Sequence, residues 1–124
     1  MLHSIEGGLL RMELVGTYTH PDIGRAFLAA IADPACPREV RLLVDVRRSE
    51  VLAERSADQI RAVSEFLGPH ADRIGRRCAV VAVSDVHYGL TRMGAVFCEG
   101  AGVTTRVFRE AADALAWLGS PADS

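Results

Sequence analysis

The residues of this sequence that could carry out acid–base chemistry lie close behind two apolar runs. Asp45 follows "LLV", and Asp85 follows "CAVVAVS", with His87 two residues further on. A carboxylate near an imidazole can transfer protons, so Asp45, Asp85 and His87 are the candidates for an enzyme. No nucleophile elbow, phosphate-binding glycine loop or metal-binding motif accompanies them. Because polar residues commonly end strands, we expect loop and cap roles here and predict no catalytic residue.

Ser56 is a further candidate, because it opens the helical stretch "SADQIRAVSEFL" and Gln59 stands three residues after it. In such a capping box, the serine hydroxyl accepts a hydrogen bond from an otherwise free backbone N–H of the first turn. The glutamine side chain reaches back to the backbone N–H of the serine. The pattern therefore predicts that Ser56 caps a helix.

Histidine and cysteine side chains, which could bind a metal ion, are scattered along the chain. No pair of these residues has the HxxxH, HExxH or CxxC spacing of a metal-binding motif. The residues are His3, His20, His70, His87, Cys36, Cys78 and Cys98. We therefore predict no metal site and no cofactor. Cys78 begins an apolar run and Cys98 lies near a helix end, so both are expected to be small core side chains in a reducing compartment.

The stretch "YGLTRMGAVFCEG" spreads its apolar side chains over more than one narrow helical stripe. It could pack on a sheet, with Gly94 allowing a close crossing. If part of it is exposed, it would form a dimer or partner surface, or one wall of an apolar ligand pocket. Arg47 adds a cation that suits an anionic group. The predicted ligand or partner surface consists of Asp45, Arg47, Asp85, His87, Tyr88, Leu90, Met93 and Phe97.

The strands that must position these residues follow from the hydrophobic pattern. Two short apolar stretches around Gly7 and Gly8 predict a β-hairpin. "VRLLVDV" and "CAVVAV" are almost continuously apolar, which is typical of parallel strands buried on both faces. We expect these two strands, which begin near Val40 and Cys78, to lie side by side. "TTRVF" predicts a last strand.

Four helices alternate with these strands. Apolar residues recur at helical spacing in the segments that begin at Pro21, Ser56 and Tyr88, which predicts three helices. The segment "REAADALAWL" predicts a last helix. Gly68 and Pro69 are expected to end the second helix as a glycine cap. The order β-β-α-β-α-β-α-β-α indicates an α/β fold with a mixed, mostly parallel sheet that begins with a hairpin. We predict one domain over residues 1–119 and a flexible tail over residues 120–124.

Composition limits the classes of partner. The 124 residues carry a net charge of −2, and all 14 basic residues are Arg. Nucleic-acid binders usually carry a basic excess, so we expect no nucleic-acid partner. No apolar run is long enough to cross a bilayer. The N-terminal residues lack the basic segment followed by a long apolar segment that is typical of a signal peptide. These features predict a cytoplasmic protein without a membrane span.

Five segments in this order resemble the STAS fold of bacterial anti-sigma factor antagonists, and in particular the SpoIIAA-like group. They are "GTYTHPD", "LLVDVR", "RSADQIRAVSEFL", "AVVAVSDVHYGLTRMGAVF" and "VFREAADALAWL". The resemblance implies a regulatory or binding module rather than an enzyme. It also implies a phosphorylated serine at the position of Ser56. The family motif there is Asp-Ser-Ser/Thr-Gly, whereas this chain has Arg55-Ser56-Ala57-Asp58, so the cap role is favoured over the phosphorylated switch.

Three functional hypotheses follow. The first is a non-catalytic cytoplasmic regulatory module that acts through contacts with an unknown protein partner, as a homodimer. The second is a binder or carrier of a small apolar or anionic, lipid-like ligand between the second and third helices and the carboxyl edge of the sheet. The third is an enzyme that uses Asp45, Asp85 and His87. An apolar cavity lined by Met93 and Phe97 would favour the carrier, and convergence of Asp85 with His87 in a cleft would favour the enzyme.

Overall fold

A computed structural model describes residues 1–120 of the chain. Five strands form one sheet in the order β1-β2-β3-β4-β5. The strands are β1 (Leu2–Glu6), β2 (Leu9–Glu13), β3 (Arg41–Asp45), β4 (Arg77–Val81) and β5 (Thr104–Phe108). The α-helices are α1 (His20–Ala32), α2 (Ala57–Phe66), α3 (Asp85–Gly100) and α4 (Ala111–Leu118), with short 3₁₀ helices at Leu52–Glu54 and Gly68–Ile74. The predicted α/β class and the order of elements are confirmed.

The first two strands form the predicted hairpin. β1 and β2 pair antiparallel, with Ile5 opposite Leu10. Gly7 and Gly8 make the turn with φ values of 58° and 77°. A residue with a Cβ atom rarely adopts such positive values, and two of them in succession suit the tight turn of a hairpin. The sheet therefore begins with its one antiparallel pair.

The two most apolar strands lie side by side, as the sequence predicts. β3 and β4 pair parallel, with Leu42 beside Cys78 and Asp45 beside Val81. β2 and β5 flank them, also in parallel. A central parallel strand is covered on both faces, which explains why these runs are almost continuously apolar.

Helices cover the sheet unequally. α1, α2 and α3 pack on one face, over a core that includes Leu10, Phe27 and Leu42. α4 packs on the other face, where Leu43 and Leu118 are buried. Because successive side chains of a strand point to opposite faces, Leu42 and Leu43 belong to different cores. The two faces are called the three-helix face and the α4 face below.

Helix boundaries follow the capping residues rather than the apolar spacing alone. α3 begins at Asp85, three residues before the predicted start, because the Ser84 side chain accepts a hydrogen bond from the His87 backbone N–H and caps it. The expected glycine cap of α2 is wrong. Leu67 is the C-cap, Gly68 has no positive φ, and the chain continues into the second 3₁₀ helix.

The predicted tail falls mostly outside the described residues, which end at Ser120. Ser120 itself is held, because its backbone carbonyl accepts a hydrogen bond of 2.8 Å from Arg77. Among residues 1–120, no helix combines the length and hydrophobicity needed to cross a bilayer.

Candidate functional site

An apolar cavity of about 140 Å³ lies between the three-helix face of the sheet and the helices above it. Its walls are almost entirely hydrocarbon; they include Met12, Val44 and Val80 from the strands, Ile23 and Phe27 from α1, Ile60 and Val63 from α2, and Leu90 and Ala95 from α3. No Asp or Glu of the described part of the chain lines it. The cavity is therefore suited to an apolar group.

The cavity exists because small residues occupy its walls while the helices above remain in contact with each other. Gly94 of α3 lies so close to α2 that an added Cβ atom would be 3.2 Å from the Ser64 Oγ. Gly94, Cys78 and Cys98 line the cavity and project little or nothing into it. Val44 consequently stays partly exposed, although Leu42 and Leu43 of the same central strand are only 1% and 0% exposed.

Polar atoms are concentrated where the chain enters α1 and α2. The Tyr18 hydroxyl lies 2.6 Å from the Ser49 Oγ, and the Arg55 Nη2 donates a hydrogen bond to the Tyr18 carbonyl oxygen. Tyr18, His20 and Arg55 all line the cavity. Arg55 Nε is buried and has no hydrogen-bond partner among residues 1–120. This group is called the polar wall below.

The environment of the polar wall shifts two pKa values. Burial raises the pKa of Tyr18 against the opposing effects of its hydrogen bond to Ser49 and the charge of Arg55. Burial and, second, the charge of Arg55 lower the pKa of His20. At neutral pH, Tyr18 therefore keeps its proton and His20 is largely neutral, so Arg55 carries the positive charge of this wall.

The segment between β3 and α2 holds the polar wall in place. Gly16 N–H donates to the Arg48 carbonyl and Glu50 N–H to the Gly16 carbonyl, at 3.0 and 2.9 Å. Ser49 Oγ also accepts a hydrogen bond of 3.1 Å from the Leu52 N–H. This loop thus carries Leu52 and Arg55 to the cavity. The sequence analysis missed Arg55 and Tyr18 as site residues; their positions just before two helix starts were the available signal.

Asp45 and Arg47 form a pair that lies away from the cavity. Asp45 shares the α4 face with Leu43, two residues before it in the strand. Its carboxylate accepts hydrogen bonds from the Arg47 side chain at 2.7–3.1 Å and from the Arg47 backbone N–H at 3.0 Å. Burial raises the pKa of Asp45, but these hydrogen bonds and the charges of Arg47 and Arg11 outweigh it, so the net shift is downward.

Asp85 and His87 do not form a catalytic pair in the described structure. The Asp85 side chain is 93% exposed and its carboxylate lies 2.9 Å from Arg109 Nη2. No hydrogen bond joins the side chains of Asp85 and His87 within residues 1–120. The Tyr88 ring lies under Arg109, whose Cζ is 4.3 Å from the ring centroid. These residues form an exposed polar cluster at the start of α3.

The apolar residues of α3 divide between two environments. Leu90 lines the cavity, whereas Met93 and Phe97 do not, although both are half-buried against the core. Val86 and Val96 are 57% and 69% exposed. The apolar residues of α3 thus belong partly to the core and partly to the surface. In α3, the residues that line the cavity include Leu90, Thr91, Gly94 and Ala95, and not Met93 and Phe97.

Ser56 has the geometry of the predicted capping box. Its Oγ accepts a hydrogen bond of 3.2 Å from the Gln59 N–H, and the Gln59 Oε1 accepts one of 2.9 Å from the Ser56 N–H. Ser56 is exposed at the surface beside Arg55. Cys78 and Cys98 are buried free thiols, and burial raises the pKa of both. No cluster of potential metal ligands occurs among the described residues.

Comparison with known proteins places the chain in a family. The model of the SpoIIAA-like family matches residues 9–119. An uncharacterized protein from Shewanella loihica PV-4, whose crystal structure has a SpoIIAA-like fold, is 18% identical, with a TM-score of 0.57. The match covers 94% of this chain and 90% of that protein. No curated protein matches the chain. The family match over most of the sequence shows that this chain belongs to the SpoIIAA-like family.

Proposed function

We propose that this chain is a non-catalytic regulatory module that binds a small apolar ligand in the cavity between the sheet and helices α1 to α3. The observation that carries the proposal is the cavity of about 140 Å³. An engineered apolar cavity of about 150 Å³ in another protein stays dry and binds benzene or xenon. A benzene-sized molecule is therefore the expected scale of ligand.

The energetic cost of the cavity supports a functional role. Apolar wall atoms that face empty space lose the packing contacts that a filled core would give them, which costs free energy. A ligand that fills the space would recover part of this free energy and would stabilise the domain in proportion to its concentration.

A titration with toluene, followed by ¹H–¹⁵N NMR, tests the proposal. We expect saturable shifts in the backbone signals of Val44, Ser64 and Gly94, because these residues line the cavity. Shifts confined to exposed residues such as Val86 and Val96, or no saturation, would count against the proposal.

Two phenylalanine variants provide a matched control for that titration. Val44→Phe places a ring in the cavity, so it should abolish toluene shifts without lowering the melting temperature. Val81, beside Asp45 in the neighbouring strand, is 0% exposed on the α4 face and does not line the cavity. Val81→Phe should therefore overpack that core and destabilise the domain by about 1–3 kcal/mol. Equal destabilisation by both variants would mean that the cavity beside Val44 is too small to hold a phenylalanine ring.

A second candidate function is contact with a protein partner, including a second copy of the chain. Val83, Val86 and Val96 are more than half exposed near the start and along the outer side of α3, which favours this candidate. Analytical ultracentrifugation of the wild type and of Val96→Asp distinguishes the two. A homodimer that dissociates in Val96→Asp would support the contact role, whereas a monomer at all concentrations would oppose the homodimer.

A further inference from the structure

We infer that the ligand of the cavity carries a carboxylate, and that the guanidinium of Arg55 binds it. This inference rests on the proposed function, because it assigns the chemical class of the same ligand. It concerns the one charged side chain that lines the cavity within residues 1–120. The apolar part of the molecule would be about the size of a benzene ring, as in benzoate or a short-chain fatty acid.

The first support is the unused hydrogen-bonding capacity of Arg55. Its Nη2 donates to the Tyr18 carbonyl, but its Nε is buried and bonded to nothing among residues 1–120. A buried donor without a partner is unfavourable, so an acceptor would gain from meeting it once the guanidinium turned toward the cavity, because Nε as it stands exposes less than 1 Å². The other such atom, Arg11 Nε, belongs to a residue paired with Leu43 and so lies on the α4 face, away from the cavity.

The second support is charge. Within residues 1–120, six arginines form ion pairs with carboxylates: Arg25, Arg47, Arg48, Arg61, Arg76 and Arg109. Arg55 is one of eight arginines in that part of the chain without a carboxylate within 4.0 Å, and of these eight it is the one that lines the cavity. The geometry of a guanidinium matches a carboxylate, which can accept two of its N–H groups at once. An anionic head group therefore provides the missing counter-charge.

The third support is that the neighbouring hydroxyl groups are already engaged. The Ser64 hydroxyl donates to the Ile60 carbonyl at 2.8 Å, and the Thr91 hydroxyl to the His87 carbonyl at 2.8 Å. The Tyr18 hydroxyl is bonded to Ser49. Arg55 is thus the one cationic donor that lines the cavity within residues 1–120, beside the largely neutral His20, and no acidic residue of that wall would repel an anion.

Benzoate and benzamide test the inference, because they have the same shape and differ in charge. We expect wild-type protein to bind benzoate about tenfold to a hundredfold more tightly than benzamide, the range for a hydrogen bond to a charged group. The affinities are measured by NMR titration of the full chain.

Three arginine variants identify the residue responsible. Arg55→Gln keeps a polar side chain but removes the charge, so the preference for benzoate should disappear while toluene still binds. Arg55→Lys should retain part of the preference. Arg61→Gln removes an equal charge from α2 at a residue that does not line the cavity and should leave the preference unchanged.

The outcomes separate the inference from the proposed function. If toluene binds but wild-type protein does not prefer benzoate to benzamide, the inference is overturned and the cavity remains a ligand site. If neither toluene nor benzoate reaches the cavity, the proposed function fails as well. A preference for benzoate that persists in Arg55→Gln would also overturn the assignment to Arg55. The wild-type comparison decides the matter even where a variant folds poorly.

Discussion

The guanidinium of Arg55 donates a hydrogen bond to the backbone carbonyl of Tyr18, which lies 37 residues earlier in the chain. The Arg55 Cζ is also 5.7 Å from the centroid of the Tyr18 ring. This contact joins the residue before the cap of α2 to the residue before the cap of α1, and both side chains line the cavity. The starts of two helices are thus fixed to each other by the side chain that we assign to ligand binding.

Arg55→Gln should raise the pKa of His20. Burial is the larger cause of its low pKa and the positive charge of Arg55 the second, so removal of the charge leaves only the burial effect. The pKa should therefore rise without reaching its ordinary value. Titration of the His20 ring signals by ¹H–¹³C NMR measures this, with Arg61→Gln as the control. An unchanged pKa in Arg55→Gln would show that the two groups do not interact.

Arg47→Ala should destabilise the domain by about 1–3 kcal/mol at neutral pH, because the buried Asp45 carboxylate loses its side-chain partner. In the wild type the folded pKa of Asp45 is lowered, so its contribution to stability is present above the unfolded pKa and is lost as pH falls through the folded value. In the variant, loss of the side-chain hydrogen bonds and of the Arg47 charge should raise this pKa above its wild-type value.

Urea unfolding at neutral pH and at about pH 3, below the ordinary carboxylate range, measures the effect of Arg47→Ala. The difference between wild type and variant should shrink at the lower pH, because the unfolded chain takes up a proton at Asp45 before the folded wild type does. An equal difference at both pH values would mean that the ion pair contributes nothing and that Arg47 acts through packing alone.

Gly94→Ala and Gly89→Ala should have opposite effects on stability. A Cβ atom at Gly94 would lie 3.2 Å from Ser64 Oγ and 3.3 Å from Ile60 Cγ2, so these two side chains of α2 must shift by a few tenths of an ångström; we expect a loss of about 1–3 kcal/mol. Gly89 has open space around it, and alanine there should stabilise the helix by about 1 kcal/mol. Thermal unfolding of both variants measures this. Stabilisation by Gly94→Ala would show that the crossing is loose.

Ser56→Ala should lower the free energy of unfolding by about 1 kcal/mol, because it removes the acceptor for the Gln59 N–H. Ser56→Asp keeps a capping oxygen and should be close to the wild type. Urea unfolding compares the two variants, and equal stability of Ser56→Ala and wild type would contradict the cap role. Phosphorylation of Ser56 is the less favoured alternative that the family resemblance implies, and mass spectrometry after incubation with host lysate and ATP would test it.

The fold could be predicted from the sequence because its signals are local. The apolar runs of β3 and β4, the glycine pair of the hairpin and the capping box at Ser56 each determine structure within a few residues. The apolar spacing alone predicts too late a start for α3, because Ser84 in "VSDVH" caps the helix before its first apolar residues.

The candidate site was harder to predict because it depends on the distance between the sheet and the helices that cover it. Asp45 was grouped with α3 residues from its position at a strand end, yet alternation along β3 puts its side chain with Leu43 on the α4 face. The cavity arises from several small side chains on separate elements, including Cys78 and Gly94, and none of them signals a void by itself. Tyr18 and Arg55 meet only through tertiary packing.

Xenon pressurisation of crystals tests the central claim most directly, because xenon binds apolar cavities of this size without needing any polar contact. The account predicts one strong xenon peak between Val44 of β3, Ile60 of α2 and Gly94 of α3, and its loss in Val44→Phe. Crystals in which xenon is absent from that position, while the fold is otherwise as described, would contradict the existence of a usable ligand cavity.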